Sequence, residues 1–101
     1  MKLMTKEIEK KIVNAGSSNY GNMDAPVIVK YFGGCVTWLV VGGEWVEEQD
    51  DYRLFGYASI GYGYEWGTIW FKELDKLKIP PFGFPLERDL YRRGTVKELM
   101  V

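Results

Sequence analysis

The chain opens on a polar stretch crossed by apolar residues at helical spacing. Ile8 and Ile12 recur four apart with Val13 beside them, and Lys6, Lys10 and Lys11 take the opposite side. This predicts an amphipathic helix over residues 6–14 resting one face on another element. Thr5 is placed to cap its start and Gly16 to end it. Residues 15–25 lose the periodicity and are rich in Gly, Ser and Asn, so they read as a long loop, a type that in compact domains is often functional or mobile.

From Pro26 the pattern turns to β-branched and aromatic residues. Strands are predicted over 27–32 and 36–41, joined by a two-residue turn at Gly33-Gly34, with Gly42-Gly43 as a further bend and residues 44–47 as an irregular continuation. A third strand spans about 52–59 and a fourth about 65–70, around a turn at Gly61-Tyr62-Gly63-Tyr64. Residues 71–78 predict a short helix with Phe71, Leu74 and Leu77 on one face, ended by Pro80-Pro81. The tail from Phe82 to Tyr91 begins extended, and Thr95 can cap a last helix through Met100. The pattern therefore specifies an α+β fold: a small antiparallel β-sheet of about four strands in a meander, with an N-terminal helix and short C-terminal helices packed on one side.

Composition narrows the chemistry. At 101 residues, 47% of them hydrophobic, the chain makes one domain, 1–101, with a sufficient core. It has no histidine, which removes the usual neutral-pH general base and histidine metal sites. One cysteine, Cys35, excludes an intrachain disulfide and a four-cysteine metal site, and it is expected to be a small buried hydrophobe. No metal or other cofactor is expected. No run approaches a membrane span, and the N-terminus lacks the apolar region of a signal peptide, so a cytoplasmic location is expected.

Charge changes the picture locally. Net charge is −1, yet residues 44–51 carry Glu44, Glu47, Glu48, Asp50 and Asp51 and no base. Such a stretch suits a basic partner surface or imitates a phosphate backbone; its plainer reading is a solvated loop between strands. Sixteen per cent of the residues are aromatic, more than a small sheet can hide. Trp45, Tyr62, Tyr64 and Trp66 are therefore candidate partner contacts alongside the five acids. Glu87, Arg88 and Asp89, followed by Tyr91, form the densest polar cluster among apolar neighbours. The plainer reading has Arg88 pinning the tail to the sheet; the alternatives are ligand binding or acid–base work by the flanking carboxylates.

Several segments also resemble a known family. They are Leu3 to Glu7, Pro26 to Phe32, Trp38, Asp51 to Tyr57, Glu65-Trp66-Gly67 and, most specifically, Gly83-Phe84-Pro85-Leu86-Glu87-Arg88-Asp89-Leu90-Tyr91. Together they resemble the bacterial and phage family known as domain of unknown function 2958. The resemblance implies a prokaryotic or phage cytoplasmic setting, often on mobile DNA, and supplies no activity, cofactor or catalytic residue.

Three functional expectations follow. The first is a non-enzymatic accessory protein, phage- or mobile-element-associated, that binds another protein, one version being inhibition of a host defence or nucleic-acid-processing enzyme. The second is a single-stranded nucleic-acid module using sheet aromatics with Lys6, Lys10, Lys11, Arg92 and Arg93. The third is a small enzyme built on Glu87, Arg88 and Asp89. Open sheet edges also leave room for a homodimer.

Overall fold

The structure, a computed structural model, describes residues 2–80, 82–89 and 93–100. Helix α1 (Lys6–Ala15) forms on the predicted stripe. The Thr5 hydroxyl accepts the Ile8 N–H at 3.2 Å, and Gly16, at φ 55°, donates its N–H to the Ile12 carbonyl. The meander follows as β1 (Val29–Gly33), β2 (Val36–Val46), β3 (Asp51–Ser59) and β4 (Tyr64–Trp70), each antiparallel to the one before. Next come α2 (Phe71–Lys76), a ribbon of β5 (Lys78–Ile79) with β6 (Phe84–Pro85), then β7 (Glu87–Arg88) and α3 (Val96–Leu99). Among the described residues no helix is long and apolar enough to cross a membrane.

The α+β class and the antiparallel meander are as expected; several details differ. Strand β7 pairs with the free side of β1, so the sheet has five strands in the order β4-β3-β2-β1-β7. A two-residue strand carries no readable alternation. The first hairpin turns at Gly34-Cys35, because Gly33 still pairs with Val36. Cys35 is consequently exposed at the tip, its thiol donating to the Ile60 carbonyl at 3.5 Å, and is not a core residue. Helix α2 stops at Lys76, since Lys78 and Ile79 are drawn into the ribbon.

The helices also divide between the two faces of the sheet. Consecutive strand residues point opposite ways. On one face Val29, Tyr31, Val40 and Leu54 pack with Leu3, Ile12 of α1 and Leu74 of α2. On the other, Leu39, Val41 and Phe55 pack with Ala25 and with Val96 and Leu99 of α3. The expected arrangement on one side fails for α3. Its approach is fixed by pairing with the 23–25 segment: Val96 N–H donates to the Ala25 carbonyl and Lys97 N–H to the Met23 carbonyl.

The pair Gly42-Gly43 does not bend the chain out of the sheet. It lies within β2, just after a register shift between Val40 and Gly42, where a bulge adds twist. A Cβ on Gly42 would strike the Gly16 carbonyl oxygen, and one on Gly43 would meet Ile12 Cγ2 at 2.5 Å. The two glycines are the seat on which α1 lies. In contrast, a Cβ on Gly67 of β4 meets only Trp38, at 3.9 Å. Gly42→Ala is expected to lower the unfolding free energy in urea by about 2–3 kcal/mol, because backbone must move. Gly67→Ala should change it by no more than about 1 kcal/mol, toward greater stability.

Candidate functional site

The half of the second sheet face that α3 leaves uncovered is aromatic. Along β3 and β4, register pairs Arg53 with Trp70, Tyr57 with Trp66 and Ser59 with Tyr64. Tyr57 stacks on Tyr64 at 5.2 Å between ring centroids, with 15° between planes, and meets Trp66 at 5.0 Å. Tyr20, from the long loop, stands over Trp66 at 5.6 Å and edge-on to Phe55 at 5.9 Å. That loop is a run of tight turns, with Ser18 N–H donating to Ala15, Tyr20 to Ser17, Asn22 to Asn19 and Ala25 to Asn22. The result is a shelf of rings in which Tyr57, Tyr64 and Trp66 are half-buried and Tyr20 is exposed. One cation lies at its end: the Arg53 guanidinium, over the Phe55 ring at 5.6 Å, ion-paired with Glu44.

The acidic stretch sits at the opposite end of β3 from Tyr62 and Tyr64, so the candidate contacts do not form one surface. Nine residues of strand separate them, roughly 26 Å at about 3.3 Å per step. Nor is the stretch a uniform solvated loop. Glu44 and Trp45 belong to β2, and Glu47–Gln49 form a single 3-10 turn. Asp51 is 5% exposed; its carboxylate accepts the N–H of Tyr52 at 2.7 Å and that of Lys72, in the first turn of α2, at 3.1 Å. Asp50 pairs with Lys72 at 3.3 Å, and Trp45 packs edge-on against Tyr52. Glu47, Glu48 and Asp50 are the outward charges, Asp50 with Lys72 as its counter-ion. Tyr62 is 95% exposed at the tip of the β3–β4 turn.

The tail cluster is extended, with Tyr31 opposite Arg88 and Phe32 opposite Glu87, and the Asp89 N–H donating to the Lys30 carbonyl at 2.9 Å. Its two carboxylates do not converge. Glu87 lines an apolar cleft, whereas Asp89 lines a separate polar pocket with Glu7, Lys11, Arg88 and Arg93. Arg88 Nη1 is shut off from solvent. Tyr31 is itself fully buried and donates its hydroxyl to the Leu3 carbonyl at 2.6 Å. Burial pushes that hydroxyl far above the ordinary tyrosine range; the Arg88 guanidinium pulls it partly back and the Asp75 carboxylate adds to the rise. Tyr91 and Arg92 lie outside the described residues.

A family model described as a protein of unknown function (DUF2958) matches residues 3–99. The chain belongs to the DUF2958 family. No curated protein and no solved structure matches it significantly. In this DUF2958 domain the match takes in both the shelf and the tail strand. Sequence reasoning missed Tyr20, Tyr57, Phe82 and Phe84 as site residues. Tyr20 carries a readable signal, an aromatic side chain inside a polar turn-rich loop. The two phenylalanines are flagged only by their setting among prolines and glycine.

Because folded Tyr31 holds its proton where the unfolded chain ionises, its contribution is complete below about pH 10 and declines as pH rises beyond that value. Tyr31→Phe should cost about 1–2 kcal/mol at pH 7 by stranding the Leu3 carbonyl. It should also remove most of the alkaline decline in stability seen in urea melts between pH 9 and 11.5. A residual slope is expected from Tyr52, whose hydroxyl is raised by burial and by its hydrogen bond to Glu9.

Proposed function

We propose that this DUF2958 domain is a non-enzymatic binding module that receives an extended, uncharged segment of a partner protein on the aromatic shelf. The observation that carries the reading is the ladder Tyr20, Trp66, Tyr57, Tyr64 on an uncovered sheet face. Aromatic-lined surfaces of small sheets suit proline-containing segments, whose preformed extended helix loses little entropy on docking. The hydroxyls of Tyr20, Tyr57 and Tyr64 add donors and acceptors for the peptide backbone.

Charge favours a protein over a nucleic acid. Phosphate backbones are held by basic residues interleaved with the stacking rings. Here Arg53 is engaged by Glu44, and Lys6, Lys10 and Lys11 project from α1, which covers the other face of the sheet. An enzymatic role for Glu87, Arg88 and Asp89 is disfavoured by the separate cavities of the two carboxylates. The setting we assign is cytoplasmic, in an accessory protein of a phage or mobile element. Inhibition of a host defence or nucleic-acid-processing enzyme is the specific form this role takes.

The test is an NMR titration with a decaproline peptide and, separately, a ten-nucleotide oligo(dT) at low salt. The peptide is expected to give saturable shifts at the Trp66 indole and at the Tyr57 and Tyr64 rings, weakened at least five-fold by Tyr20→Ala, while the oligonucleotide leaves them in place. Salt-dependent shifts with oligo(dT) alone, or no saturable shift with either, would overturn the reading.

A further inference from the structure

A second concavity lies away from the shelf, between the tip of the first hairpin and the β5–β6 ribbon. Its volume is about 530 Å³, within the range of small-molecule sites. Its walls are built by close backbone approach. A Cβ on Gly33 would meet Leu86 Cδ2 at 3.0 Å, and one on Gly34 would meet Ile79 Cγ2 at 2.5 Å. Glycine at the hairpin end thus lets the ribbon fold down onto it.

Three phenyl rings line this cleft: Phe32, Phe82 and Phe84. Phe82 is 77% exposed and Phe84 65%, with their rings 5.7 Å apart and tilted by 37°. Exposed phenylalanines that share a concavity are unlike scattered surface apolar residues and mark an interaction site. Glu87, directly opposite Phe32 in the β1–β7 register, is the one charged side chain in the lining among the described residues. Outside the lining, the Lys30 ammonium already lies 5.9 Å from the Phe32 ring centroid, so this ring has a cation as a neighbour.

We infer that the cleft binds a small organic cation, an alkylated ammonium carrying an apolar body. Ring faces present negative electrostatic potential to a weakly hydrated cation, and a lone carboxylate at the wall fixes the sign of the charge. The apolar walls take the body of the ligand, and the carboxylate of Glu87 takes its head. An anionic ligand would meet the wrong charge, and a purely apolar one would leave the Glu87 carboxylate without a counter-charge.

The experiment uses choline and its uncharged carbon isostere, 3,3-dimethylbutan-1-ol, titrated into the full chain with the Phe82 and Phe84 ring signals as readout. Choline is expected to bind saturably, at least five-fold more tightly than the isostere. Glu87→Gln should bring the two affinities within two-fold of each other, and Phe84→Ala should weaken choline at least five-fold. Both positions are exposed, and an unchanged amide spectrum elsewhere serves as the folding control. Equal affinities in the unaltered protein, or no saturable shift up to 100 mM, would overturn the inference. So would shifts of these rings with protein concentration alone, which would put a second copy of the chain in the cleft.

Discussion

The close approach of α1 to β2 is the constraint on which the remaining structure depends. The helix can lie flat because Gly42 and Gly43 present no side chain to Gly16 and Ile12. Once seated, α1 covers β2 on one face of the sheet, and its last residue fixes where the following loop begins. The loop then crosses to the other face, delivering Tyr20, Met23 and Ala25 there. Helix α3 in turn pairs with Met23 and Ala25, so even the C-terminal element takes its position from that first contact.

A division of labour between the faces results. One face is closed by α1, α2 and Leu3 and holds the interior polar contact of Tyr31 with the Leu3 carbonyl. The other is closed over β2 by α3 and the loop, and open over β3 and β4. Its rings pack on one another side by side instead of under a helix, which keeps them ordered while part of each remains at the surface. Stacked aromatics of this kind lose little freedom on binding, because their rotamers are already fixed by their neighbours.

Much of this was legible in the chain. Thr5, Gly16 and Thr95 act as the caps that their residue types and positions indicate, Thr95 through a reciprocal capping box with Glu98. The four long strands fall on the β-branched and aromatic runs that indicate them, and Phe71, Leu74 and Leu77 all reach the core. The family was legible too, chiefly from the Gly83–Tyr91 segment. What was hidden depends on tertiary context. Gly33-Gly34 and Gly42-Gly43 are the same dipeptide, yet one borders a hairpin tip and the other seats a helix. Asp50 and Asp51 are adjacent acids, yet one faces solvent and the other is buried against Lys72 N–H. Strands of two residues, β5 to β7, are too short for any period to show. The shelf was half visible: Tyr64, read as a turn residue although it opens β4, and Trp66 stood out as candidate contacts, whereas Tyr57 joins them through the β3–β4 register and Tyr20 only through the path of the loop.

The central claim is that α1 and α2 cover the core of one sheet face and that the β3–β4 half of the other is an open aromatic surface. Paramagnetic relaxation of side-chain protons by a neutral, soluble gadolinium chelate tests it directly. Strong broadening of the Tyr20, Tyr57, Tyr64 and Trp66 ring protons is predicted, with the methyls of Ile12, Val40 and Leu74 untouched. Equal protection of both sets would mean that another part of the chain covers the shelf, and would contradict the account.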